Sequence, residues 1–256
     1  MFAQEIKNFL KGEVIEKDIG AFGRDASIFE VKPAVVVKPK DAEDIKNLVK
    51  FVSENKQNEP NLSLTARAGG TDMSGGPLSD SIIVDFANFN KIIGVTDNSA
   101  ITESGVYYRD FEKATLAKGL LLPSYPASRE ICTVGGMVAN NAGGEKSLAY
   151  GKTAKYVEEL NVVLNNGEEY VFRALNQAEL EQKKSQNNFE GQIYRELHEL
   201  LESNYDLIQN AKPKVSKNSA GYALWDVWNR KTFDPTSLFC GSQGTLGLIT
   251  KIKFKL

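Results

Sequence analysis

The strongest constraint on this chain is an eleven-residue stretch from Arg67 to Pro77 that reads RAGGTDMSGGP. Four of its residues are glycine, and it follows directly on the apolar run Leu62–Ala66. A strand that empties into glycine must bend sharply. A backbone without Cβ atoms also lets successive N–H groups converge on an anion. The spacing of Gly69, Gly70, Gly75 and Gly76 fits neither a phosphate loop ending in Gly-Lys-Ser/Thr nor the G-x-G-x-x-G pattern. Taken alone, the stretch reads either as an anion cradle or as a glycine-rich turn between two strands.

Composition narrows the classes. A chain of 256 residues with 41% apolar and 25% charged residues can bury a sizeable core. A net charge of −2 gives no electrostatic footprint for nucleic acid. No apolar run approaches the roughly 20 residues of a membrane span, and the N-terminal MFAQEIKNFLKGE lacks a signal-peptide pattern. Two cysteines, Cys132 and Cys240, are too few for a disulfide framework or a cysteine metal site. A reducing, cytoplasmic setting is expected. With a single histidine, His198, a multi-histidine metal site is excluded and no metal is expected.

Along the chain, residues 2–10 have the spacing of a short helix, and 18–32 have no sustained period. The Val-rich run Ala34–Lys38 predicts a buried strand. Asp41 then predicts an N-cap, with Ile45, Leu48, Val49 and Val52 following at helical spacing. Leu62–Ala66, Ser81–Asp85 and Ile92–Val95 read as further strands, so the opening third has a β-α-β-loop-β order with ligand chemistry at a strand end. Residues 100–104 predict a strand, and Tyr107–Lys118 a helix closed by Gly119. Tyr156–Asn165 and Glu169–Arg173 flank the Asn-Asn-Gly turn of a hairpin. Residues 176–212 read as helical, with an apolar stripe of Ile193, Leu197, Leu200 and Leu201. His198 beside that stripe reads as a partly exposed surface residue. Trp225 and Trp228 are expected to pack on one helical face, and the chain closes with a strand to Leu256.

Two more stretches are glycine-rich. Cys132–Gly144 (CTVGGMVANNAGG) carries four glycines, two alanines and no charge. Gly135 and Gly136 are expected to open a short helix whose N–H groups face an anion, although close helix–strand packing explains the same composition. Leu238–Thr250 leads from a short apolar run through glycines into the terminal strand. Cys132 and Cys240, one in each stretch, read as small buried packing residues.

Three segments, RAGGTDMSGG (67–76), PASREICTVGGMVANNAGG (126–144) and GSQGTLGLITK (241–251), together resemble the FAD-binding domain of the p-cresol methylhydroxylase and vanillyl-alcohol oxidase superfamily. The branch of glycolate oxidase and D-lactate dehydrogenase flavin subunits is the most similar, and KNSAGYAL (217–224) fits it too. The resemblance implies an α+β, PCMH-type fold of two α/β subdomains clasping FAD. It divides the chain into an N-terminal helical extension (1–24) and the FAD-binding domain (25–256), with subdomains over about 25–97 and 98–256.

It also implies a cofactor site. Arg67, Ala68, Gly69, Gly70 and Thr71 would wrap the pyrophosphate through backbone N–H groups, with Asp72, Ser74 and Gly75 extending the loop. Pro126, Ser128, Thr133, Gly135 and Gly136 would line the flavin. Asn140, Ala142 and Gly143 would continue that wall, and Gly244, Gly247, Leu248 and Ile249 would close the adenine and ribose side. Some relatives attach FAD through a histidine in the first loop. Thr71 or Asp72 stands there in this chain, which implies non-covalent FAD. Where relatives often read GSEGT, this chain has Gln243.

The implied activity is oxidation of a D-2-hydroxy acid such as lactate or glycolate. The alternatives are a catalytically incomplete flavin-binding subunit or fragment, or another oxidase of the superfamily. In the resembling dehydrogenases a C-terminal domain supplies substrate-binding residues. That domain is expected to be absent here, so a partner subunit or further domain is implied. His198 is poorly placed as a base, Tyr222 and Asp72 are only loop candidates, and no catalytic residue is assigned.

Overall fold

The computed structural model describes residues 2–215, 217–219 and 221–256. Two sheets carry the α+β fold. In the first, β2 (Val35–Lys38), β4 (Ile82–Asp85) and β3 (Leu64–Arg67) run parallel in that order, with β1 (Glu13–Ile15) antiparallel at the edge of β2. β2 and β4 read as continuous Val/Ile runs because both faces of the parallel sheet are covered. Helix α1 (Phe2–Phe9) and helix α2 (Ala42–Asn55) pack on it, and Asp41 caps α2 by accepting from the Asp44 N–H.

The N-terminal residues belong to this half, α1 packing on the sheet and β1 extending it. The fully buried Asp44 carboxylate accepts the N–H groups of Lys11, Gly12 and Lys40, which ties the chain entering β1 to the chain leaving β2. A Cβ at Gly12 would lie 2.0 Å from the Lys38 carbonyl oxygen, so only glycine allows this approach. Three residues between charged neighbours gave no strand signal, and β1 was not expected from the sequence.

The second sheet is antiparallel, in the order β5 (Ile92–Val95), β6 (Ser99–Glu103), β11 (Leu248–Lys255), β7 (Val157–Val163), β8 (Glu169–Arg173). The last strand of the chain therefore occupies the centre. Helix α3 (Tyr108–Leu116), α4 (Val134–Ala139), α5 (Ser147–Tyr150), α6 (Gln177–Lys184), α7 (Phe189–Ser203), α8 (Tyr205–Asn210) and α9 (Thr236–Phe239) accompany this half, with the small ribbon β9 (Leu175–Asn176) and β10 (Thr232–Phe233). Its core is aromatic, built around Tyr108, Phe111, Phe172, Tyr194, Phe233 and Phe254. Val163 and Leu248 pack into the core of the first half and so close the seam between the two sheets.

Two expectations are corrected here. Trp225 and Trp228 do not share a helical face. Leu224–Asp226 is a single 3-10 turn, and Trp228 pairs with Phe233 while its Nε1 donates to Glu202. In α7 the buried side is formed by Gly191, Tyr194 and Leu201, whereas Leu200 is 49% exposed, because residue 200 sits about 100° from Leu201 on the helix. The segment 217–224 adjoins the C-terminal glycine stretch; Ala220, like Met1 and Ser216, lies outside the described residues.

Candidate functional site

A cavity of about 390 Å³ opens on the seam, within the size range of a small-molecule or cofactor site. All three glycine-rich segments line it, together with Phe86 at the end of β4 and Ser104 at the end of β6. Its first wall is the loop after β3. The N–H groups of Gly69, Gly70, Thr71 and Asp72 donate to no protein acceptor among the described residues. Consecutive half-buried N–H groups without a protein partner have the geometry to receive an anion. Gly70 holds a left-handed φ of +65°, a conformation side chains disfavour.

The same loop is braced from behind. The Asp72 carboxylate accepts from the Met73 and Gly76 N–H groups and from Ser74 Oγ. Asp25 accepts from the Gly75 N–H, and the Ala26 N–H donates to the Asp72 carbonyl. Residues 18–32, irregular in sequence, are thus the strap that fixes the loop.

The second segment behaves differently. Thr133 is the N-cap of α4, and its Oγ1 accepts from the Gly136 N–H at 3.4 Å. The Val134 and Gly135 N–H groups donate to the carbonyls of Val106 and Ser104. The expected anion-facing helix start is therefore corrected: protein acceptors already occupy those donors. The glycines serve close packing. A Cβ at Gly135 would lie 2.6 Å from the Ser104 Cβ and carbonyl oxygen, and one at Gly136 would lie 2.9 Å from the Ala68 Cβ. A Cβ at Gly69 would in turn meet the Ile131 carbonyl oxygen at 2.4 Å, so the first two segments touch backbone to backbone.

The third segment is stitched to the end of α4, the Gly241 and Gln243 N–H groups donating to the carbonyls of Val138 and Ala139. Gln243 has a φ of +52° and directs its Oε1 toward Gly76 of the first loop.

Of the residues singled out from sequence, Arg67, Ala68, Gly69, Gly70, Thr71, Asp72, Pro126, Ser128, Thr133, Gly135, Gly136, Asn140, Ala142, Gly244, Gly247 and Ile249 line the cavity. Four others do not. Ser74 faces solvent and bonds Asp72, Gly75 backs onto Phe29, Gly143 packs on Ser147, and Leu248 is buried in the first core. Sequence reasoning missed Ala66, Phe86, Ser104 and Met137 on the lining. Phe86 carried a usable signal, since it ends the parallel strand beside β3.

No cavity side chain stands out as a free base. Asp72 is committed to its own loop, and Tyr222 shares a 2.8 Å hydrogen bond with Thr245. His198 lies outside the cavity, its ring 5.2 Å from that of Trp228, and burial holds its pKa below the usual imidazole value. Cys132 and Cys240 are unpaired and buried, which pushes the Cys132 thiol up to about 11 and that of Cys240 further up. No helix among the described residues is long and apolar enough to cross a membrane.

Known proteins share this sequence pattern and this fold. The family model for the FAD binding domain matches residues 33–173. The chain is similar to D-2-hydroxyglutarate dehydrogenase of Pseudomonas putida, with 31% identity over 236 residues, covering 91% of this chain and 23% of that protein. It is similar to D-lactate dehydrogenase of Archaeoglobus fulgidus (31% identity over 225 residues, 87% of this chain and 38% of that protein). The glycolate oxidase subunit GlcD of Bacillus subtilis is 28% identical over 232 residues, again 38% of its length. The chain thus spans between 23% and 38% of the length of these curated relatives. Among solved structures, alkyldihydroxyacetonephosphate synthase superposes with a TM-score of 0.67 at 18% identity, over 99% of this chain and 43% of that one, a likeness of fold.

Proposed function

This chain belongs to the FAD binding domain family, and on that premise we propose that it is the flavin-holding part of an oxidoreductase acting on a D-2-hydroxy acid. The observation that carries the reading is the row of N–H groups from Gly69 to Asp72, without protein acceptors among the described residues, on the wall of a predominantly apolar cavity. A dinucleotide pyrophosphate needs such donors, and the small residues of the other two segments leave room for flat rings against backbone. FAD, when bound, supplies the hydride-accepting chemistry. The residues of this chain would do the rest of the holding. The first loop would bind the pyrophosphate, and Pro126, Ser128, Thr133 and Asn140 would position the flavin. Gly244, Gly247 and Ile249 would flank the adenosine. The single histidine lies away from the cavity, which supports non-covalent binding.

The substrate class rests on the relatives, whose names specify D-2-hydroxyglutarate and D-lactate dehydrogenases and a glycolate oxidase subunit. A base for the substrate hydroxyl is not offered by the cavity walls, where Asp72 is already triply hydrogen-bonded. We therefore assign that base, and substrate recognition, to a further domain or a partner subunit. Exposed apolar side chains at and near the rim, such as Met73 at 80% exposure, suit such a cover. Two unpaired buried thiols suit a cytoplasmic setting.

The test is an absorbance spectrum of the chain reconstituted with FAD, before and after acid precipitation, followed by anaerobic D-2-hydroxyglutarate or D-lactate. Flavin bands that pass into the acid supernatant are expected. Bleaching by a hydroxy acid would make this chain self-sufficient. Stable bands without bleaching would support the divided site, and failure to take up FAD would overturn the reading.

A further inference from the structure

We propose that Arg67 is the fixed counter-charge of the phosphate cradle, a positioning residue that stands beside the N–H row without being consumed by any carboxylate of the protein. The inference rests on the cofactor reading above. Arg67 ends β3, and its guanidinium turns back on the strap. Nη1 donates to the Phe22 carbonyl at 3.2 Å, and Nη2 donates to the carbonyls of Arg24 at 2.7 Å and Ala21 at 3.4 Å. The planar group also lies over the Phe22 ring at 5.5 Å. On its other side it is seated against Gly70, where an added Cβ would meet Nη2 at 2.5 Å. Gly70 is in the middle of the row of unbonded N–H groups.

Two nearby carboxylates have other partners. Asp85, across the sheet from Arg67, pairs with Lys38 at 3.7 Å and accepts from the Ala87 N–H. Asp25 accepts from the Ser27 and Gly75 N–H groups. Among the described residues Arg67 forms hydrogen bonds only to neutral carbonyls. A half-buried cation held this way retains its charge for whatever anion enters the cradle, and the low dielectric around it lengthens its reach. Its fork also sets the loop, because three carbonyls of the strap and the turn at Gly70 are referred to one rigid plane. A lysine in the same place would keep the charge and lose the plane.

The experiment separates charge from bracing. ADP carries the phosphates without the flavin, and adenosine carries neither. Binding of FAD, ADP and adenosine is measured by titration calorimetry at low and high salt, with thermal melts of each apo chain. For R67M and R67Q, ADP and FAD affinity should fall at least about tenfold, with adenosine affinity unchanged within about twofold. The salt dependence of ADP binding should flatten relative to the unmodified chain. R67K should keep ADP affinity within about threefold and keep the salt dependence, while amide exchange of residues 21–24 speeds up. If one neutral variant fails to fold, the other carries the measurement.

ADP binding by a folded neutral variant within about twofold of the unmodified chain would overturn the proposal. So would R67K losing as much as R67M, or all three ligands weakening together, which is the mark of bracing alone. An unmodified chain that binds neither FAD nor ADP would sink the cofactor reading, and this inference with it.

Discussion

The loop at 67–77 and the segment at 132–144 each carry four glycines and make opposite uses of them. In the loop, four consecutive N–H groups have no protein acceptor among the described residues, and Gly70 among them takes a φ of +65°. In the segment, the donors at the start of α4 are spent on Val106, Ser104 and Thr133, and the glycines admit neighbouring backbone at distances no Cβ tolerates. On the proposed reading, one stretch is glycine-rich so that a ligand can be bound. The other is glycine-rich so that the two halves of the molecule can meet. Glycine content alone does not separate these roles; the hydrogen-bond accounting does.

The largest effect is expected from forcing a side chain into the packing segment. Gly135→Val drives a Cβ into Ser104 Cβ and carbonyl oxygen and should cost about 3 kcal/mol. It would show as a large drop in the unfolding midpoint of the apo chain and loss of flavin as a consequence. A stable Gly135→Val chain with weakened FAD binding would instead give this segment a direct binding role and dissolve the contrast.

Gly70→Ala sharpens the other side. A non-glycine residue at that φ costs about 1–2 kcal/mol, so the chain should still fold. ADP affinity, measured by calorimetry, should drop by at least about tenfold, because the added Cβ displaces Arg67 and tilts the N–H row. Unchanged ADP affinity would show that the row is not the anion site.

Thr133→Ala removes the α4 cap and should cost about 0.5–1 kcal/mol in a denaturant melt. Its effect on ADP affinity should stay within about threefold, since the donors there face protein. A loss as large as that of Gly70→Ala would place an anion at α4 after all.

The smallest effect lies outside both regions and serves as a control. Burial keeps the folded pKa of His198 below its usual value, so the unfolded chain takes up the proton first. Stability should fall as pH drops through the ordinary histidine range and level off below the depressed folded pKa. The apo melting temperature should move by less than about 3 °C, and His198→Gln should flatten that part of the profile. ADP affinity should not follow it.

Much of this protein was legible in the residues themselves. Val35–Val37, Asp41 as N-cap, the β3 run into glycine, Gly119 and the Asn-Asn-Gly hairpin turn are local signals, and local backbone preferences decide them. The cofactor class was legible too, because the backbone of three glycine-rich segments carries it in recognisable order. Tertiary structure decided the rest. Nothing near Leu248–Lys255 reveals that the final strand takes the centre of a sheet between β6 and β7. No property of Ser104 or Met137 reveals that they face the cavity. The strap at 18–32 gained its meaning only when Arg67, Asp25 and Asp72 tied it to the loop from more than forty residues away. A sequence fixes what each stretch of backbone can do alone. Which donors end up paired, and which remain for a ligand, depends on contacts that exist only once distant segments have closed on one another.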